Sequence, residues 1–207
     1  MAGFVMGEIV EAERAETVQK AVAPGCFVAV VGPSGVGKDS LLNYARERLS
    51  RDRRFVFVRR IVTRIADAAL EDHDSLSPQA FDEAQASGRF ALAWRAHDLG
   101  YALPGEIRHD LANGRTVIAN ISRASIDAAR REFGFCRIVS VTAPREIVAR
   151  RLAARGRETA SEIEERLNRD QPCPGGPDVI EIDNSGDLAE AGARLVSVLE
   201  ELTPKQA

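Results

Sequence analysis

Cysteine is scarce in this chain. Cys26, Cys136 and Cys173 are the only three in 207 residues, an odd number too widely spaced for a disulfide framework or a zinc knot. They read as reduced thiols, so the expected compartment is the cytoplasm. An excess of either charge is also missing. Lys and Arg number 28 against 31 Asp and Glu, a formal net charge of −3, which excludes a bulk polyanion-binding surface and leaves nucleic acid out as an expected partner. Long apolar runs are absent from residues 1–25, where Glu8, Glu11, Glu13 and Glu16 interrupt small apolar residues. Neither a secretory leader nor a spanning helix is expected there, and no membrane partner. The length suffices for one α/β domain whose core needs no disulfides.

What is present concentrates first in Gly32-Pro33-Ser34-Gly35-Val36-Gly37-Lys38-Asp39-Ser40. Glycines at these spacings let the backbone curl until successive N–H groups point inward, and a helix leaving the loop adds its positive end. Together they cradle phosphate. The motif requires a strand before it and a helix after it. Cys26 to Val31 is an unbroken apolar run suited to a buried parallel strand, and Leu41 to Leu49 follows with helical spacing. Gly32 through Ser40 are therefore the candidate binding residues for ATP, with Lys38 reaching the β- and γ-phosphates as a catalytic cation. The strict pattern places Ser or Thr directly after the lysine to hold Mg²⁺; here Asp39 stands there. A carboxylate is also a hard-oxygen ligand. Asp39, directly or through water, and Ser40 are thus the metal-site candidates, with the Ser40 hydroxyl also assigned to a phosphate.

Further along, Arg54 to Val62 reads as one second strand ending in Thr63-Arg64, and a polar, turn-rich passage follows through Ser75. Ser77-Pro78 opens a helix, with serine as cap and proline at the first position, that Ser87-Gly88 closes. Phe90 to Trp94 and a segment around Tyr101 read as short strands, and Pro104 to Asn113 as a helix. Thr116 to Ile121 and Arg137 to Val141 are two more apolar strands, each leading into helical sequence. The alternation predicts an α/β P-loop NTPase: a mostly parallel five-stranded sheet flanked by helices, with a small acceptor-binding region and a lid. The phosphate loop then lies at one edge of the sheet, and Asp183-Asn184, after the last strand, near the nucleotide.

The helix from Pro144 carries Arg145, Arg150 and Arg151, then Arg155-Gly156-Arg157; the helix from Ser161 carries Arg166 and Arg169. Residues 156–160 between them form a polar break suited to a flap. Phosphoryl transfer draws on cations around the migrating group, and a closing lid brings them in while excluding water. Arg151, Arg155 and Arg166 are the catalytic candidates. Arg145, Arg157 and Arg169 read equally as solvated surface paired with nearby glutamates.

The ordered set Gly32 to Ser40, Thr63-Arg64, Asp72-His73, Tyr101, Arg151-Leu152, Arg155-Gly156 and Arg166-Leu167 resembles the guanylate kinase superfamily from about Phe27 to Leu199. The resemblance implies an extension over 1–25 and a kinase domain over 26–203, with an acceptor-binding insertion over about 60–104 and a lid over about 151–168. It sets Arg64 on an arginine that binds acceptor phosphate, Tyr101 on a phosphate-contacting tyrosine, and Arg151, Arg155 and Arg166 on lid arginines. Departures from that family bear on the substrate. Its two guanine-reading carboxylates become Leu92 and Asn120, its following serine Leu103, a second phosphate arginine Asp67 and another phosphate tyrosine His73. Guanine N–H donors buried without those carboxylates would cost about 1–3 kcal/mol each, so GMP is a poor acceptor.

Val58-Arg59-Arg60-Ile61-Val62-Thr63-Arg64, Glu71-Asp72-His73-Asp74 and Trp94-Arg95-Ala96-His97, with the Gly-Lys-Asp loop, are similar to the ribose 1,5-bisphosphate phosphokinases of phosphonate breakdown. That resemblance implies transfer of the ATP γ-phosphoryl group to the 1-phosphate of ribose 1,5-bisphosphate, giving 5-phosphoribosyl 1-diphosphate. Substrate-binding candidates are then Arg59, Arg60, Arg64, Asp72, His73, Arg95, His97 and Tyr101, with cations for two phosphates and Asp72 and Asp74 for sugar hydroxyls. Strand alternation turns Arg59 and Arg60 in opposite directions. Trp94 reads as core, and His73 and His97 read equally as structural histidines. Two other functions stay open: a nucleoside monophosphate kinase with altered base preference, and a non-catalytic guanylate kinase-like binding module, which would not need Lys38 or the lid arginines.

Overall fold

The computed structural model describes residues 23–64, 73–96, 98–156, 158–168, 172–173 and 175–203. In chain order its elements are β1 (Phe27–Val31), α1 (Lys38–Arg48), β2 (Phe55–Phe57), β3 (Arg60–Val62), β4 (His73–Ser75), α2 (Pro78–Ala86), β5 (Phe90–Ala96), β6 (Leu99–Pro104), α3 (Ile107–Ala112), β7 (Thr116–Asn120), α4 (Ile126–Glu132), β8 (Cys136–Thr142), α5 (Arg145–Ala154), α6 (Ala160–Asn168), β9 (Val179–Asp183) and α7 (Leu188–Leu202). Five strands form the main sheet in the order β2-β7-β1-β8-β9, and every pairing is parallel.

β1 lies at the centre because both of its faces can be buried. Period-two alternation sends Val28 and Val30 into one core and Phe27, Ala29 and Val31 into the other. Leu41, Leu42 and Ala45 of α1, Val148 and Leu152 of α5, Ile163 of α6, and Leu195, Val198 and Leu199 of α7 fill the first core. Ile107 of α3, Ile126 and Ala129 of α4, Phe133, and Leu92 and Leu103 of β5 and β6 fill the second. The helices thus cover both faces, as the unbroken apolar strands require. Among the described residues no helix is long and apolar enough to cross a membrane.

A second sheet, of order β4-β3-β6-β5, stands beside the first. Here the expectation of one strand from Arg54 to Val62 is corrected. β2 pairs with β7 in the main sheet, whereas β3 pairs with β4 and β6 in the second. Val58 N–H still donates to Ile118 O at 2.9 Å, and the chain then leaves the main sheet at Arg59-Arg60. A layer closed by helices on both faces has no room for two consecutive cations. Within the polar passage expected as turns, His73 to Ser75 forms β4, paired in parallel with β3. The α2 start follows its signal: the Ser77 hydroxyl accepts from Ala80 N–H at 3.1 Å and Pro78 takes the first helical position.

Candidate active site

The phosphate loop joins the central strand to α1 at the carboxyl edge of the main sheet, the usual ligand crevice of such sheets. Gly37 caps α1 in the left-handed conformation, with φ of 100°. A Cβ there would lie 2.4 Å from Asn184 Nδ2, so both backbone and space require glycine. Lys38 Nζ donates to Gly32 O and Pro33 O, each at 2.8 Å, which draws the ammonium across the mouth of the loop. From behind, Val36 O accepts from Asn184 Nδ2 at 2.7 Å and from Arg151 Nη1 at 3.2 Å. The end of β9 and the middle of α5 therefore fasten the loop.

Asp39 and Ser40 are exposed on the first turn of α1. One oxygen of Asp39, Oδ1, accepts from Asn120 Nδ2 at 3.0 Å. Sequence reasoning singled out Asn120 only for a missing carboxylate; its bond to Asp39 had a readable signal in strand parity, because Asn120 shares a face with Ile118, which packs in the core containing α1. No group of three or more His, Cys, Asp or Glu gathers as a metal cage among the described residues.

Two of the three arginines expected in a lid reach the loop. Arg166 of α6 donates to Ser34 Oγ and pairs with Glu158, and Arg151 of α5 holds Val36 O. Arg155 is exposed at the end of α5. α6 is set by a reciprocal cap: Thr159 N–H donates to Glu162 Oε2 at 2.7 Å, and Glu162 N–H donates to Thr159 Oγ1 at 3.3 Å. The Thr159 N–H, and after it the Thr159 hydroxyl at 2.9 Å, hold the Glu162 carboxyl below its ordinary range. Arg145, read equally as surface, donates to Asn168 Oδ1 at 2.7 Å and so links α5 to α6. Arg157 and Arg169 lie outside the described residues.

In the second sheet, Arg60 sits 5.9 Å from the Tyr101 ring centre, and Tyr101 stacks on Trp94 at 5.6 Å with the planes 9° apart. Arg59 turns to β4 instead, donating to His73 O at 3.2 Å and pairing with Asp74 at 3.3 Å. His73 is buried at 2% exposure. Burial is the main cause holding its imidazole below the ordinary value; Arg64, Arg60 and Arg59 add like charge, while a backbone hydrogen bond with Arg64 opposes them. Arg59, Arg60, Arg64, His73 and Tyr101 are thus brought together. Arg95 is not. It pairs with Asp82 of α2 at 2.5 Å and lies 5.8 Å from the Phe81 ring centre, on the α2 side of β5 and away from Trp94. Asp67, Asp72 and His97 lie outside the described residues. Leu92 and Leu103 are buried in the second core.

The AAA domain family profile matches residues 28–170. Ribose 1,5-bisphosphate phosphokinase PhnN of Brucella melitensis is 47% identical over 182 residues, covering 87% of this chain and 95% of that protein. The protein of the same name from Methylobacterium radiotolerans is 49% identical over 176 residues, 85% of this chain and 98% of its own. The chain is an AAA-domain protein of the ribose 1,5-bisphosphate phosphokinase family. Guanylate kinase of Anaplasma phagocytophilum superposes with a TM-score of 0.62 at 15% identity, covering 89% of each chain. The phosphokinase family member described here therefore has a guanylate kinase-like fold, as the ordered motifs imply.

Proposed function

We propose that this protein transfers the γ-phosphoryl group of ATP to the 1-phosphate of ribose 1,5-bisphosphate, releasing ADP and 5-phosphoribosyl 1-diphosphate. The observation that carries this reading is what occupies the base-reading positions. Leu92 and Leu103 are buried in the core and the Asn120 amide is engaged by Asp39 at 3.0 Å, so these positions offer no carboxylate to guanine donors, while Arg59, Arg60 and Arg64 gather around His73. An acceptor with two phosphates and no base matches that exchange. The names of the Brucella and Methylobacterium relatives agree.

An acceptor phosphate is already anionic at neutral pH, so a general base has no proton to remove. Catalysis is alignment and charge neutralisation. An oxygen of the 1-phosphate forms the new P–O bond as the bond to ADP breaks. In this reading Lys38 holds the β/γ-phosphates, Arg151, Arg155 and Arg166 spread the charge of the migrating group, and Arg60, Arg64 and Tyr101 hold the acceptor. Asp74 and the His73 carbonyl keep Arg59 beside them. Mg²⁺ fits this donor set: a lone carboxylate next to a phosphate loop suits an ion that keeps waters and binds mainly substrate phosphates. Bound there, Mg²⁺ would neutralise phosphate charge, with Asp39 and Ser40 as the residues nearest to it.

A coupled assay with ATP, Mg²⁺ and a panel of ribose 1,5-bisphosphate, GMP, AMP and UMP tests the proposal. Turnover with the sugar bisphosphate alone is the expected result. Turnover on GMP alone would overturn it in favour of a nucleotide kinase, and no ATP consumption with any acceptor would favour a binding module.

A further inference from the structure

We infer that Asn120 is a positioning residue acting through Asp39: its amide commits one carboxylate oxygen and so presents the other to the cation carried by the nucleotide. The inference rests on the reading of Asp39 as a metal-site residue. Strand parity places Asn120, the last residue of β7, on the face that carries Ile118, a member of the core that also holds Leu41 and Leu42 of α1. Parallel register sets it beside Val30, two residues before the phosphate loop opens at Gly32. Hidden at 8% exposure, it donates through Nδ2 to Asp39 Oδ1 at 3.0 Å.

An exposed aspartate on the first turn of a helix otherwise turns freely about its broad terminal torsion. The bond to a buried strand end removes that freedom before any cation arrives, and Oδ2 keeps no protein partner among the described residues. Only a donor serves here. A carboxylate at position 120 has no N–H to give, and two ionised carboxylates at such a distance repel.

The test compares wild type, Asn120→Ala, Asp39→Ala and the double variant. Mn²⁺ binding in the presence of ADP is followed by electron paramagnetic resonance, and kcat and KM for ATP are measured as Mg²⁺ is varied. Asn120→Ala is expected to weaken Mn²⁺ binding and lower kcat by about tenfold each, as loss of a ligand's supporting hydrogen bond does elsewhere, with KM for ATP changed by no more than about twofold. In the Asp39→Ala background the same change should cost less than about twofold. Should Asn120→Ala not fold, the nearly isosteric Asn120→Leu, which brings neither a donor nor a charge, provides the same comparison. Equal losses in both backgrounds, or none in the single variant, would overturn the positioning role while leaving Asp39 in place. If Asp39→Ala alone leaves Mn²⁺ binding unchanged, the metal reading of Asp39 fails and this inference with it.

Discussion

Lys38 bonds two carbonyls of its own loop, those of Gly32 and Pro33, each at 2.8 Å. In the proposed reaction a bound γ-phosphoryl group would replace these neutral acceptors with charged oxygens, which bind an ammonium about twice as strongly. Lys38→Met keeps the length and loses the charge. It is expected to lower kcat by about 10²–10³-fold with a smaller change in KM for ATP, as initial rates would show; a loss confined to KM would reduce Lys38 to a binding role. His73 makes a different kind of prediction. The unfolded imidazole takes up its proton near pH 6.5, whereas burial and three arginines lower the folded value. Below about pH 6.5 the unfolded state therefore binds more protons, so stability falls as pH drops through that window and is level above it. Melting temperature should fall between about pH 7.5 and about pH 5.5 more steeply in wild type than in His73→Gln; equal slopes would remove His73 as the cause. Lys38 and the loop glycines were readable because their partners are adjacent in sequence. The fasteners were not, since Asn184 reaches Val36 across 148 residues and Arg151 across 115; for Asn120, 81 residues from Asp39, strand parity alone gave a signal.

Elements show the same division between local and distant causes. α2 begins where Ser77-Pro78 says it should, and the inner strands β1, β7 and β8 follow from largely apolar runs. The division of Arg54 to Val62 between two sheets depends on partners elsewhere: β7 for one half, β4 and β6 for the other. Alternation showed that Arg59 and Arg60 diverge. Only the second sheet decides that Arg60 meets Tyr101 while Arg59 turns to Asp74. α6 offers an element-scale test. α6 has nine residues, short enough that its terminal bonds matter, and Thr159 both caps it and receives Glu162 in return. Thr159→Ala is expected to weaken the helix by about 1 kcal/mol. Amide hydrogen exchange in α6 should then quicken by roughly fivefold, the Boltzmann equivalent of that loss, with α1 unchanged. Arg166 would spend less time against Ser34, and kcat should fall modestly. Unchanged exchange would mean that Ile163, packed in the first core, holds α6 without its cap.

At the scale of the whole molecule, the three thiols report on whether the sheet and the phosphate loop open together. Cys26 leads directly into β1, and Cys136 opens β8 beside Phe27. Both are buried, and burial pushes their thiols up to about 12 and about 11 respectively, so at neutral pH neither is a reactive thiolate. Cys173 is partly exposed. A thiol-specific reagent should therefore label Cys173 first, with Cys26 and Cys136 following only as the central sheet opens, each site located by mass spectrometry. β1 continues into the loop, and the loop is fastened to α5 and β9, so a nucleotide bound there stabilises the strands that hide both thiols. At about 100 times its dissociation constant, ADP with Mg²⁺ adds about 2.7 kcal/mol to the closed state. Where opening and closing are fast, labelling of Cys26 and Cys136 should slow about a hundredfold while Cys173 keeps its rate. Slowing at all three sites would point to direct shielding by the ligand. Slowing at neither buried site would mean that the sheet opens without releasing the loop, which the shared strand β1 makes physically difficult.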